Sequence, residues 1–136
     1  MRFAGYAALF DRVDRGGDIV RPGAFARAVK AGPARVPLLW QHEAGKPIGR
    51  IEMIGEDSRG LRVIGRVSER SAAGREAAAL LREGAVSGLS FGYNVRRKTD
   101  GVRRELKELE LIEVSLVTFP MQPAARVHAV EEDQSH

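Results

Sequence analysis

The sequence has 136 residues, 43% of them hydrophobic and 29% charged, which fits one globular domain with a core of its own. It contains no cysteine, which excludes disulfides, thiol catalysis and cysteine-ligated zinc. The net charge of +4 raises nucleic-acid binding, but tight basic clusters occur only at Arg96-Arg97-Lys98 and Arg103-Arg104, around what reads as a solvated hairpin turn, so no nucleic-acid partner is expected.

Residues 3–10 read as a first strand, and 11–18 as a turn-rich loop by their Asp and Gly content. The carboxylates of that loop lack the spacing and terminal glutamate of a calcium loop, so no metal is expected there. Phe25, Ala28 and Val29 at i, i+3, i+4 predict a short amphipathic helix stopped at Gly32-Pro33. Residues 36–40 form a compact strand with His42 just past its end. Gly45-Lys46-Pro47 then turns the chain into a strand over 48–54, which makes a hairpin with 61–67. Ser71 caps an alanine-rich helix over 72–82, and Gly84 stops it. A strand beginning near Ser87, the basic turn, and a last strand over 106–119 follow. Pro120 and Pro123 end regular structure, and Glu131 to His136 is expected to fray. No apolar run approaches the roughly 20 residues of a membrane span, and Met1 to Tyr6 lacks a secretory apolar stretch, so a cytoplasmic protein with no membrane partner is expected.

This order is not the regular alternation of a parallel sheet. It predicts a mainly β, α+β fold: an antiparallel barrel-like sheet with a few packed helices. The domain occupies 1–125, and 126–136 is a polar C-terminal tail.

Three residues stand out. Ser90 lies between Gly88 and Gly92 in an apolar run, and strand alternation puts Ser90, Gly92 and Asn94 on one face, with Leu89, Phe91 and Tyr93 on the other. The glycines there leave room for a substrate backbone to approach. A serine nucleophile needs a base, and of the three histidines only His42 lies within a patterned segment. Glu113 interrupts a strand that is apolar on both faces, which is costly unless the carboxylate is paired. Gly88-Leu89-Ser90-Phe91-Gly92 matches the nucleophile elbow of the α/β-hydrolases by accident, since a strand rather than a helix follows Ser90.

Four stretches carry a resemblance: Asp18-Ile19-Val20-Arg21-Pro22-Gly23-Ala24-Phe25; Pro37-Leu38-Leu39-Trp40-Gln41-His42 with Pro47-Ile48-Gly49; Ser87-Gly88-Leu89-Ser90-Phe91-Gly92-Tyr93; and Leu111-Ile112-Glu113-Val114-Ser115-Leu116-Val117-Thr118-Phe119-Pro120. In that order they resemble the signatures of the prohead (capsid maturation) proteases of tailed phages, a family similar in fold to the herpesvirus maturation proteases. The family's usual Pro-Ala-Asn-Pro is Pro120-Met121-Gln122-Pro123 here, and relatives often continue beyond this point. The resemblance implies a β-barrel surrounded by helices, with Ser90 as nucleophile, His42 as general base and Glu113 as acidic third member. It also implies a serine endopeptidase without cofactor, which trims the major capsid protein and its scaffolding segment inside an assembling procapsid in the bacterial cytoplasm and processes itself. A homo-oligomer is expected. The alternative is a non-catalytic assembly module of the same fold that binds capsid or scaffold.

Overall fold

The computed structural model describes residues 1–133. Among these, the elements run β1 (Arg2–Leu9), β2 (Asp18–Val20), α1 (Ala26–Ala31), β3 (Pro37–Trp40), β4 (Glu43–Glu56), β5 (Gly60–Val67), α2 (Ala72–Glu83), β6 (Gly88–Thr99), β7 (Arg104–Val117) and β8 (Val127–Glu131). The fold is mainly β, of the α+β class. Antiparallel ladders join β4 to β5, β5 to β1, β1 to β8, β3 to β4 and β6 to β7. β7 is the hub: β6 lies along one edge, while β2 and β3 pair with its two ends in parallel.

Where the sequence predicts a closed antiparallel barrel, the ladder runs β2-β7-β3-β4-β5-β1-β8 with β6 beside β7, and it stays open. Its ends approach at a bridge between Gly88 and Arg126, flanked by N–H bonds from Leu89 to Ala125 O (2.9 Å) and from Val127 to Ser87 O (2.8 Å).

Alternation sets what faces the core. Leu38, Leu89, Val114 and Leu116 are fully buried, each leucine contributing about 1.5–3 kcal/mol. Ser90, Glu113 and Ser115 alternate with them and so share the opposite, outer face. A one-residue slip of β6 on β7 would exchange the faces, so the leucines fix the register that groups the polar residues. α2 forms as expected: the Ser71 hydroxyl accepts from Gly74 N–H (3.0 Å), Gly84 ends the helix at φ 76°, and Ala77, Ala78 and Leu81 are buried.

The structure departs from the expected elements in three places. β2 is a three-residue strand at the end of the loop read as irregular. β4 begins at Glu43, so Gly45-Lys46-Pro47 lies within a strand and the chain reverses at Gln41-His42. Within the segment read as a polar tail, Val127–Glu131 is strand β8 on β1. The fraying expected at residues 134–136 lies outside the described residues.

Candidate active site

Trp40 and Glu43 are partners across β3 and β4, so Gln41 and His42 are the two central residues of a tight hairpin turn. Both have positive φ, 53° and 61°. A two-residue hairpin of this type requires that backbone, which costs a non-glycine residue about 1–3 kcal/mol. β7 supplies the compensation. Gln41 N–H donates to Leu116 O (2.9 Å), the Gln41 amide exchanges hydrogen bonds with Thr118 (2.7 and 3.0 Å), and His42 N–H donates to Ser115 Oγ (3.1 Å).

The His42 side chain is held by β7 as well. Its Nδ1–H donates to Glu113 Oε1, and the other carboxylate oxygen accepts from the Ser115 hydroxyl (2.6 Å). Glu113 is only 7% exposed and Ser115 is fully buried, so these bonds are what make a carboxylate tolerable there. The hydrogen bond to Glu113 raises the His42 pKa above its ordinary value, with partial burial opposing it. Fixing the proton on Nδ1 leaves Nε2 with its lone pair free, and the ring itself is half-exposed.

Gly92 explains how Glu113 fits. The two are partners across β6 and β7, and a Cβ on Gly92 would stand 2.7 Å from Glu113 Oε1. The space that sequence reasoning reserved for a substrate is therefore taken by the carboxylate. At Gly88 it is taken by Val117 O and the Pro120 ring, 2.6 and 2.8 Å from such a Cβ.

Ser90 is the partner of Ser115, two residues along β6 from Gly92, and is 5% exposed. It lines a cleft of about 70 Å³ together with His42, Tyr93, Asp14, Met121 and Gln122. Tyr93 borders the same cleft from the Phe91 side of β6, its ring 4.9 Å from that of Phe91, and the bulge opposite it leaves Ile112 of β7 unpaired. Ser90 and His42 thus meet at one cleft, but not on adjacent strands: β7 lies between β3 and β6, and His42 reaches over from its turn. Among the described residues no hydrogen bond joins the two. Beyond His42 runs a more open groove of about 430 Å³, lined by Leu39, Ala44, Pro47, Ile112 and Tyr93.

Ser115 escaped sequence reasoning as a site residue. Its signal was present: it follows Glu113 by two, hence shares its face. The carboxylates of the 11–18 loop are engaged elsewhere, Asp18 with Arg104 (2.5 and 2.9 Å) and Asp11 with Arg21 (2.6 Å), while Asp14 accepts from the N–H groups of Gly16 and Asp18.

Residues 1–136 match the family described as Caudovirus prohead serine protease. The chain is 30% identical over 134 residues to the prohead protease of Enterobacteria phage HK97, covering 95% of this chain but only 60% of that protein. In fold it is similar to the capsid assembly protease of bacteriophage T4, with a TM-score of 0.67 at 18% identity over 85% of this chain and 80% of the other. It is also similar to the KSHV protease crystallised with a hexapeptide phosphonate inhibitor, with a TM-score of 0.64 at 13% identity over 93% and 63%. The varicella-zoster virus protease gives a TM-score of 0.57 at 16% identity over 93% and 62%. These likenesses show the mainly β fold of the herpesvirus proteases, and the match along the whole sequence shows more: the chain belongs to the caudovirus prohead serine protease family.

Proposed function

We propose that the chain is a serine endopeptidase of capsid maturation, with Ser90 as nucleophile, His42 as general base and Glu113 as third member. The observation that carries this reading is a histidine whose Nδ1 is held by a buried carboxylate and whose ring opens on the cleft of a serine. The Ser90 oxygen attacks the scissile carbonyl while His42 Nε2 takes its proton, and the resulting imidazolium is stabilised by Glu113. His42 then gives that proton to the leaving amine. Water attacks the acyl-enzyme in turn, again with His42 as base, and restores Ser90. Ser115 acts through Glu113, fixing which carboxylate oxygen faces the imidazole. The groove lined by Leu39 and Ile112 receives apolar side chains of the bound polypeptide.

The proposed substrates are the major capsid protein and its scaffolding segment, with self-processing, inside a procapsid assembling in the bacterial cytoplasm. The enzyme acts as a homo-oligomer and without a cofactor. Co-expression with the capsid protein encoded beside it tests the proposal: wild type should shorten the capsid protein and Ser90→Ala should not. Shortening by Ser90→Ala would refute it. Capsid binding without cleavage by the wild type would favour the non-catalytic assembly module.

A further inference from the structure

Folding matches several arginines to carboxylates: Arg66, Arg82 and Arg104 each reach one at 2.5–2.9 Å. Several others make no such pair among the described residues, and three of these gather at one place. Arg59 from the turn before β5, Arg62 from β5 and Arg126 from the segment before β8 line one open pocket of about 330 Å³ with Tyr6, Ala124 and His128. Among the described residues none of these three guanidinium groups has a carboxylate partner.

Two of them are nevertheless held in place by neutral groups. Arg59 lies over the Tyr6 ring, 5.2 Å from its centre. Arg126 donates through Nε to Pro123 O (2.8 Å) and through a terminal nitrogen to Ser87 Oγ (3.2 Å). Asp57, beside Arg59, is occupied by the Tyr6 hydroxyl (2.5 Å) and by the N–H groups of Arg59 and Gly60 (2.8 and 3.1 Å). Arg59 therefore has the Asp57 charge nearby without a direct ion pair, while Arg62 and Arg126 have no carboxylate partner among the described residues, and the planar donors of all three fit a carboxylate or phosphate.

We infer that this pocket is an anion-binding subsite for the polypeptide substrate, taking the carboxylate of an Asp or Glu three or four residues from the scissile bond. The placement follows from the bridge between Gly88 and Arg126. Antiparallel partners project to the same face, so Arg126 leaves the sheet on the face of Gly88 and hence of Ser90. From Ser90 the near edge of the pocket, at Arg126, lies about 7 Å along β6 and one strand spacing of about 4.8 Å across, within reach of three or four extended residues, and the pocket continues across β1 to Arg62 on β5. The same face and that spacing favour a peptide carboxylate over a nucleic-acid phosphate. The subsite role rests on the protease reading; the pocket's affinity for carboxylates does not.

The test separates the two. Arginine side-chain N–H signals of the intact chain are followed by NMR during titration with a tetraglutamate peptide, a tetraglutamine peptide and a short single-stranded oligonucleotide. The inference expects tetraglutamate alone to shift Arg59, Arg62 and Arg126, more weakly as salt rises, and Arg59→Gln/Arg62→Gln to lose about tenfold in affinity. The double variant should still react with a fluorophosphonate at Ser90 at the wild-type rate. An equal response to tetraglutamine, or unchanged affinity in the double variant, overturns the site. A response to the oligonucleotide alone overturns the peptide assignment. For the subsite role, exchanging the acidic residue nearest a mapped cleavage point for its amide should slow cleavage by wild type and not by the double variant. Equal slowing in both overturns that role. No fluorophosphonate labelling of wild-type Ser90 overturns the protease reading while tetraglutamate binding still supports the pocket.

Discussion

Glu113→Gln keeps the shape of the side chain, yet the bonds around it decide which way the amide must face. Ser115 Oγ already accepts from His42 N–H, and its own hydrogen needs an acceptor. That acceptor can only be the amide oxygen, which turns the amide NH₂ toward His42 Nδ1. The imidazole must then carry its proton on Nε2, the nitrogen that has to receive the Ser90 proton. Reversing the amide strands the Ser115 hydrogen and costs about 1 kcal/mol, so the inert arrangement dominates about fivefold. With the stabilising charge gone as well, the loss should be on the order of 10²–10⁴ in rate, about 2.7–5.4 kcal/mol of activation free energy. Ser115→Ala alone should cost about tenfold, from one hydrogen bond to a charged group worth about 1.5 kcal/mol. In the double variant the amide is free to reverse, so adding Ser115→Ala to Glu113→Gln should cost nothing further or restore some rate. The assay is the rate of Ser90 labelling by a fluorophosphonate, with thermal midpoints to confirm that each variant is folded. Losses that simply multiply would refute this account of Ser115, and wild-type labelling by Glu113→Gln would make Glu113 a structural residue only.

Ser90→Ala should abolish labelling and capsid cleavage with the thermal midpoint nearly unchanged, and His42→Ala should be almost as severe because such groups act as a unit. The pKa of His42 is raised by its bond to Glu113, so labelling should climb only as pH passes above the ordinary histidine value of about 6.5. Glu113→Gln should move that rise to lower pH; a rise at unchanged pH would contradict the assignment. The stability from the same bond has the opposite sense: it is complete below about 6.5 and fades as pH rises through the higher folded-state value. Gly92→Ala must displace the tip of Glu113, which is flexible, so a loss of labelling of at least about tenfold is expected with little unfolding. Arg104 depresses the pKa of Asp18, so their ion pair stabilises above about pH 3.9 and is lost as acid takes pH down through the lower folded value. Asp18→Asn should flatten that acid dependence and cost about 1 kcal/mol at neutral pH, allowing for the exposure of Arg104. An unchanged acid midpoint would show the pair to be idle.

Much of the fold was legible because it is periodic. The helix over 72–82 announced itself through Ser71, its alanine and leucine face and Gly84, and the alternation of 88–95 separated Ser90 from Leu89 and Phe91. The reversal at Gln41-His42 was not legible, because nothing local favours it. Those residues take left-handed backbone only where β7 receives their N–H groups, and β7 lies some seventy residues downstream. β2 and β8 were missed for a related reason: short edge strands are defined by the partner they find, Arg104–Leu106 in one case and β1 in the other. Of the site, the pattern of the sequence singled out Ser90, His42 and Glu113, and the resemblance supplied their roles. The support from Ser115 and the space left by Gly92 needed the register of β6 on β7, which sequence alone does not state.

The bonds that tie His42 to Glu113 and Ser115 span 71 and 73 residues of chain. The β6–β7 hairpin contains Ser90 and Glu113, but no local turn, helix or hairpin contains His42 together with either. Pairings of such separation require loop entropy to be spent before any contact rewards it, and they form late. The parallel junction of β3 with β7 is therefore the step that completes the base. A nascent or partly folded chain can hold β4 with β5, or β6 with β7, and still have an imidazole with nothing to orient it. In the protease reading, destructive activity is absent during synthesis and early folding, and it arrives only with the finished sheet.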